Sequence, residues 1–157
     1  MTKITLITVG KTTQRYVEEA VQEYIKRLKF YVSFEISVIL ELKDTKNIPI
    51  SIQKQKEGEL ILKKLQDADE VILLDEKGSE YTSVEFANFM EKKLSASKRI
   101  VFVIGGPFGF SPDVYKRANA MLSFSRMTFS HQIIRIIFAE QLYRCFTIIR
   151  GESYHHV

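Results

Sequence analysis

A single cysteine in 157 residues rules out an internal disulfide. Cys145 lies in an apolar helical segment and reads as a buried structural thiol rather than a reactive one. No apolar run is suited to crossing a membrane. The longest, Ile133 to Ile149, is broken by Arg135, Glu140, Gln141 and Arg144. The N-terminus has too short an apolar core for a secretory signal and reads as a first strand ending at Gly10. Repeats, low-complexity tracts and interdomain linkers are all lacking. So is the G-x-G-x-x-G of dinucleotide sites. These absences point to one domain in a reducing cytoplasm, with no membrane and no metal site expected.

What is present suits a globular domain. The chain is 45% hydrophobic and 27% charged, and its length allows a real core. The net charge of +4 is unevenly placed. Residues 1–98 hold 16 basic and 16 acidic side chains, whereas residues 99–157 hold seven basic and three acidic. Arg126, Arg135, Arg144 and Arg150 dominate that basic third, and arginine suits bidentate phosphate contacts. Charge alone leaves open a solvated, ion-paired surface.

Hydrophobic periodicity alternates strand and helix along the whole chain. Ile4–Val9 is a strand, and Gln14 to Leu28 is a helix with Val17, Ala20, Val21, Tyr24 and Leu28 on one face. Phe34 to Leu42 is a second strand, then Lys43 to Ser51 a loop. Ile52 to Leu65 is a charged helix whose interior Gly58 implies close packing. Val71–Leu74 is a short strand running into a turn at Asp75–Gly78. Ser83 is a fair cap for the next helix. Ile100–Ile104 is a buried strand, Ser111-Pro112-Asp113 opens a helix that ends near Asn119, and Met121–Phe124 is a last strand. Ser130 caps the final helix. This pattern predicts an α/β fold, a mostly parallel sheet with helices on both faces. The final helix is apolar around more than one stripe, so it should be buried on two sides, by the sheet and by a partner subunit.

The most informative residues lie late in the chain. The apolar run Arg99 to Ile104 stops at Gly105-Gly106, as a strand does where its carboxyl end meets a ligand. A plain strand-end turn is the other reading of that glycine pair. A second short strand then runs into the Ser/Thr-rich stretch Ser123 to Ser130, and two such loops can line one pocket.

Taken in order, these segments resemble one family from end to end. Val9-Gly10-Lys11, Glu23-Tyr24, Lys26-Arg27, Lys56-Glu57-Gly58-Glu59 and Leu73-Leu74-Asp75 with Gly78 match its first half. Ile104-Gly105-Gly106-Pro107 with Gly109, Ser123 to Phe129, His131, Arg135 and Tyr154-His155 match the rest. The chain is similar to the ribosomal RNA large subunit methyltransferase H family, in the SPOUT class of trefoil-knotted methyltransferases. The resemblance implies S-adenosylmethionine as methyl donor. It implies the N3 atom of pseudouridine 1915, in helix 69 of 23S rRNA in the ribosome, as acceptor. It also implies a homodimer with each site completed by both chains, and a C-terminal trefoil knot. Carried over, the cofactor positions are Leu74, Gly105, Phe124, Ser125, Arg126, Met127, Thr128 and Phe129. Two positions depart from the family pattern. Phe108 stands where many relatives have Glu or another polar residue, and Ser130 where proline is common.

Methylation of a weakly acidic N3–H needs positioning, together with a base or a cation to stabilise the anion. His131, Arg135, Tyr154 and His155 are the catalytic candidates, with His156 beside them. Each has a structural alternative: a helix-capping role for His131, an ion pair with Glu140 for Arg135, and a frayed terminus for the tail. A non-catalytic RNA-binding ribosome factor is the alternative function. A small-molecule α/β enzyme fits the Arg-rich tail less well.

Overall fold

The computed structural model describes residues 2–156. The β-branched runs form five strands: β1 (Lys3–Val9), β2 (Ser33–Ile39), β3 (Glu70–Glu80), β4 (Arg99–Ile104) and β5 (Ala120–Ser123). They pair in the order β2-β1-β4-β3-β5, and every pairing is parallel. Parallel neighbours need crossovers. These are supplied by α1 (Arg15–Leu28), α2 (Ile50–Lys63), α3 (Ser83–Ala96) and α4 (Pro112–Arg117), and α5 (Ile133–Ile149) follows the last strand.

Side-chain alternation along the strands divides the core in two. Ile4, Leu6, Ile72, Phe102 and Ile104 pack with Leu28, Phe86 and Phe138, so α1, α3 and α5 cover one face. Ile7, Val9, Leu73, Val101 and Val103 pack with Ile61 and Val114, so α2 and α4 cover the other. Each fully buried aliphatic side chain here stabilises the fold by about 1.5–3 kcal/mol. The expected two-faced α/β architecture is therefore the one observed.

Several boundaries differ from expectation for local reasons. Pro49 is the N-cap of α2, and its carbonyl accepts from the Ile52 and Gln53 amides, so the helix starts earlier than expected. The cap of α3 is Thr82, not Ser83. Thr82 Oγ1 accepts from the Glu85 amide at 3.1 Å while the Glu85 carboxylate accepts from the Thr82 amide at 2.8 Å, a reciprocal capping box. Those bonds hold the Glu85 carboxyl below its ordinary range. Ser83 instead donates to Gln141 Oε1, tying α3 to α5. Ser111 caps α4 as expected, although α4 ends at Arg117. A Cβ on Gly58 would lie 2.3 Å from Ser111 Oγ, which is the close packing its position in α2 implied.

The apolar girth of α5 is largely met within the chain, because the helix sits on the sheet between α1 and α3. Ile133, Ile136 and Ile137 stay half-buried on its outer side. Ser130 does not cap α5 itself: Gln132 holds that position, and Ser130 Oγ accepts from the Ile133 amide at the turn before it.

Cys145 is 1% exposed, and desolvation pushes its thiol up to about 12. The native protein is expected to resist thiol-specific reagents at pH 8 and to react with one equivalent once unfolded in guanidinium. Fast native labelling would show that α5 leaves its groove.

Candidate active site

The carboxyl ends of β3, β4 and β5 lie side by side, and an irregularity in β3 shapes the space between them. Leu74 and Ser79 both stand opposite Leu122 of β5. The four residues Asp75–Gly78 are looped out between those two pairings. The turn expected there is a bulge, because the strand resumes at Ser79 and Glu80. The bulge closes tightly. A Cβ on Gly78 would lie 2.6 Å from the Leu122 nitrogen and 2.7 Å from the carbonyl carbons of Met121 and Leu122.

An open cleft of about 660 Å³ lies above these strand ends. Leu74 to Lys77 form one wall, Gly105 to Phe110 with Tyr115 a second, and Ser123 to His131 a third. Of the carried-over positions, Leu74, Gly105, Phe124, Ser125, Met127, Thr128 and Phe129 line the cleft, as does His131. Arg126 does not: its side chain is 89% exposed and lies 3.8 Å from Glu80.

Local bonds fix each wall. Phe124 is anchored by edge-on contacts with Phe86 and Phe138. Ser123 Oγ donates to the Ser125 carbonyl at 2.8 Å, and Ser125 Oγ accepts from the Met127 amide at 2.9 Å. Gly106 and Gly109 close a turn around Pro107 and Phe108, with Gly109 at φ +82°. Gly105 lines the cleft and also leaves room for a neighbouring ring. A Cβ there would meet the Phe110 ring at 2.9 Å. Behind Gly106 sits the buried carboxylate of Glu57, 2.7 Å from where a Cβ would be.

Reasoning from sequence missed Asp75, Glu76 and Tyr115 as cleft residues. The Tyr115 hydroxyl donates to Asp75 Oδ2, and Asp75 Oδ1 accepts from the Lys77 amide at 2.8 Å. Burial first, and then this carboxylate, push the Tyr115 phenol up to about 12. Glu76 accepts from Thr128 Oγ1 at 3.3 Å. The available signal was a buried strand stopping at two carboxylates ahead of a glycine.

Arg135 requires a correction. It was expected to face phosphate or a pyrimidine anion, but it is 1% exposed. Its guanidinium donates to the His131 carbonyl, Thr12 Oγ1 and the Val9 carbonyl. Gln132 adds two bonds to the same loop, accepting from the Thr13 amide and donating to the Lys11 carbonyl. The start of α5 is thereby stapled to the end of β1. Glu140, the partner suggested for Arg135, instead pairs with Arg144 at 2.5 Å.

The tail is not frayed and does not line its own chain's cleft. Tyr154 packs edge-on against Tyr143 with centroids 4.8 Å apart, lies under Arg144 and donates to Glu140. His155 Nδ1 is 3.0 Å from the Arg144 guanidinium. Among the described residues no cluster of three metal-ligating side chains occurs, and no helix is long and apolar enough to cross a membrane.

A parallel sheet with an open cleft at its strand ends, walled by Gly-rich and Ser/Thr-rich loops, defines a class of α/β proteins that bind ligands at their strand ends. Comparison with known proteins narrows it. A family model described as "Predicted SPOUT methyltransferase" matches residues 2–155. Proteins named ribosomal RNA large subunit methyltransferase H are 56% identical in Bacteroides fragilis and 55% in Parabacteroides distasonis. Each match spans 155 residues, 98% of this chain and 99% of the relative. Among solved structures, a probable methylase family protein from Haemophilus influenzae has a TM-score of 0.48 at 12% identity. It covers 99% of this chain and 70% of that one, a likeness too distant to add to the assignment. The chain belongs to the SPOUT methyltransferases, in the family of ribosomal RNA large subunit methyltransferase H.

Gly78→Ala is expected to destabilise the protein by about 1–3 kcal/mol, because the atoms its Cβ meets are backbone and cannot rotate away. A urea melt measures this. An unchanged midpoint would show that the bulge relaxes without cost.

Proposed function

We propose that this protein transfers a methyl group from S-adenosylmethionine to N3 of pseudouridine 1915 in helix 69 of 23S rRNA, working as a cytoplasmic homodimer. The observation that carries the reading is the cleft itself: seven of the eight residues that the family likeness assigns to the donor line one space at the strand ends. When bound there, the donor supplies a methyl carbon whose bond to sulfur breaks, leaving the electron pair on sulfur.

The chain's own groups do the rest. Leu74 and Phe124 offer apolar surface to an adenine, and the main chain from Ser125 to Phe129 offers donors and acceptors to its edges. Methylation forms one N–C bond from the N3 lone pair and releases one proton. His131, which lines the cleft, is our candidate to take it. Arg135 is a positioning residue here, holding the His131 main chain through its carbonyl. Tyr154 and His155 keep their proposed part in RNA contact through the second protomer. They pack against α5 at Glu140, Tyr143 and Arg144, so dimerisation along its outer apolar strip would carry the tail of one chain to the cleft of the other. The family likeness also implies a trefoil knot near the C-terminus.

Two measurements test the reading. Calorimetry with S-adenosylhomocysteine should show binding. Ribosomes from a strain lacking the homologous enzyme, incubated with the protein and donor, should gain one methyl group on the helix 69 fragment by mass mapping. Binding without methyl gain would favour a non-catalytic ribosome factor, and absence of both would remove the cleft assignment.

The exposed Arg126 should carry phosphate contact where the buried Arg135 does not. Arg126→Gln is expected to lower the slope of log Kd for rRNA against log salt by about one, the value for one lost phosphate contact. An unchanged slope would place the RNA path away from the Ser123–Ser130 loop.

A further inference from the structure

The cleft contains an electrostatic oddity for a protein whose proposed acceptor is a polyanion. Two carboxylates, Asp75 and Glu76, are brought into it by the bulge in β3. Carboxylates beside an RNA substrate repel its phosphates and attract a cation, and Lys54 and Lys77 line the same cleft. No Lys or Arg comes within 4.0 Å of either one among the described residues. Asp75 is the inner of the two. It is half-buried and follows Leu74 at the strand end, whereas Glu76 is exposed at the rim. Asp75 is also held in place: the Tyr115 hydroxyl takes one carboxylate oxygen and the Lys77 amide the other. Desolvation keeps that phenol protonated and able to donate. A carboxylate oxygen accepts about two hydrogen bonds, so each Asp75 oxygen keeps acceptor capacity toward the cleft.

We propose that Asp75 reads the charge of the bound nucleoside, favouring the sulfonium of S-adenosylmethionine over the uncharged thioether of S-adenosylhomocysteine, with Tyr115 as its positioning residue. The inference rests on the reading of the cleft as the donor site. The two ligands differ by one methyl group and one positive charge, so a carboxylate of fixed position discriminates between them by electrostatics. The consequence is directional. Methyl transfer removes the charge that Asp75 holds, which weakens product binding and favours exchange for fresh donor.

Calorimetry of the intact protein with each ligand separately tests this. In wild type, S-adenosylmethionine should bind at least as tightly as the product. Asp75→Asn keeps the shape and removes the charge. It is expected to weaken S-adenosylmethionine about tenfold, the size of one partly screened charge contact, and S-adenosylhomocysteine by about twofold or less. Glu76→Gln should change the ratio of the two affinities less, because its carboxylate is exposed. Tyr115→Phe frees the Asp75 carboxylate and should lower the ratio about threefold, and it carries the test should Asp75→Asn not fold. Equal losses for both ligands, or a ratio unchanged in Tyr115→Phe, would overturn the role of Asp75 while leaving the donor site in place. A wild-type protein that binds neither ligand would instead overturn the donor site itself.

Discussion

The constraint on which the cleft depends is the contact between the bulge of β3 and the backbone of β5. Leu122 serves two partners, Leu74 and Ser79, and the four residues between them must leave the sheet and return within one strand spacing. Only glycine fits at the return, because Met121 and Leu122 occupy the space where a Cβ would sit. Much follows from this. The bulge carries Asp75 and Glu76 out of the sheet. Their side chains then reach Tyr115 in the second wall and Thr128 in the third. One irregular strand therefore fastens both loops that face it, and the cleft is as well defined as that return.

A second fastening works from the other side. Arginine is rarely buried without a carboxylate, because desolvation of its charge is costly. That desolvation holds the Arg135 guanidinium below its ordinary range. The cost is offset by three acceptors in fixed places, two of them main-chain carbonyls at the end of β1 and the start of α5. Main-chain acceptors cannot swing away as a glutamate would, so the arrangement fixes two backbone segments relative to each other. One of those segments ends in His131, at the cleft wall.

These two features also mark where sequence reasoning stopped. The strand and helix order, the parallel sheet and the Ser111 and Gly58 details were legible, since each rests on a local or periodic signal. The Thr82 box was equally local, and was missed because Ser83 was read as the cap in its place. The reach of β3 past Leu74 was not legible: Asp-Glu-Lys-Gly has turn chemistry, and only pairing with β5 makes it a bulge. Arg135 has the spacing of a residue one turn after His131, and in the structure it donates to the His131 main-chain carbonyl. Its burial depends on Val9 and Thr12, more than 120 positions away. At Gly105 the strand-end position was legible but a second neighbour was not, because Phe110 returns onto the strand end after a turn that spacing does not fix.

The charge distribution gains sense once these pieces are together. The arginine excess of the last third does not form one patch. Arg135 is internal, Arg144 is paired with Glu140, Arg150 lies over Tyr31, and Arg126 alone of the four has a nearly free side chain. The cleft wall beneath it carries both signs, Lys54 and Lys77 together with Asp75 and Glu76. On the proposed reading the two substrates have opposite charge and must meet at one atom. A uniformly basic site would bind the RNA and repel a sulfonium, and a uniformly acidic one would do the reverse. Dividing the signs by depth, with Asp75 half-buried and Arg126 on the rim, resolves the conflict, because screening by solvent weakens the rim charges far more than the inner one. The bulge is what makes that division possible in a sheet whose strand ends would otherwise present only backbone.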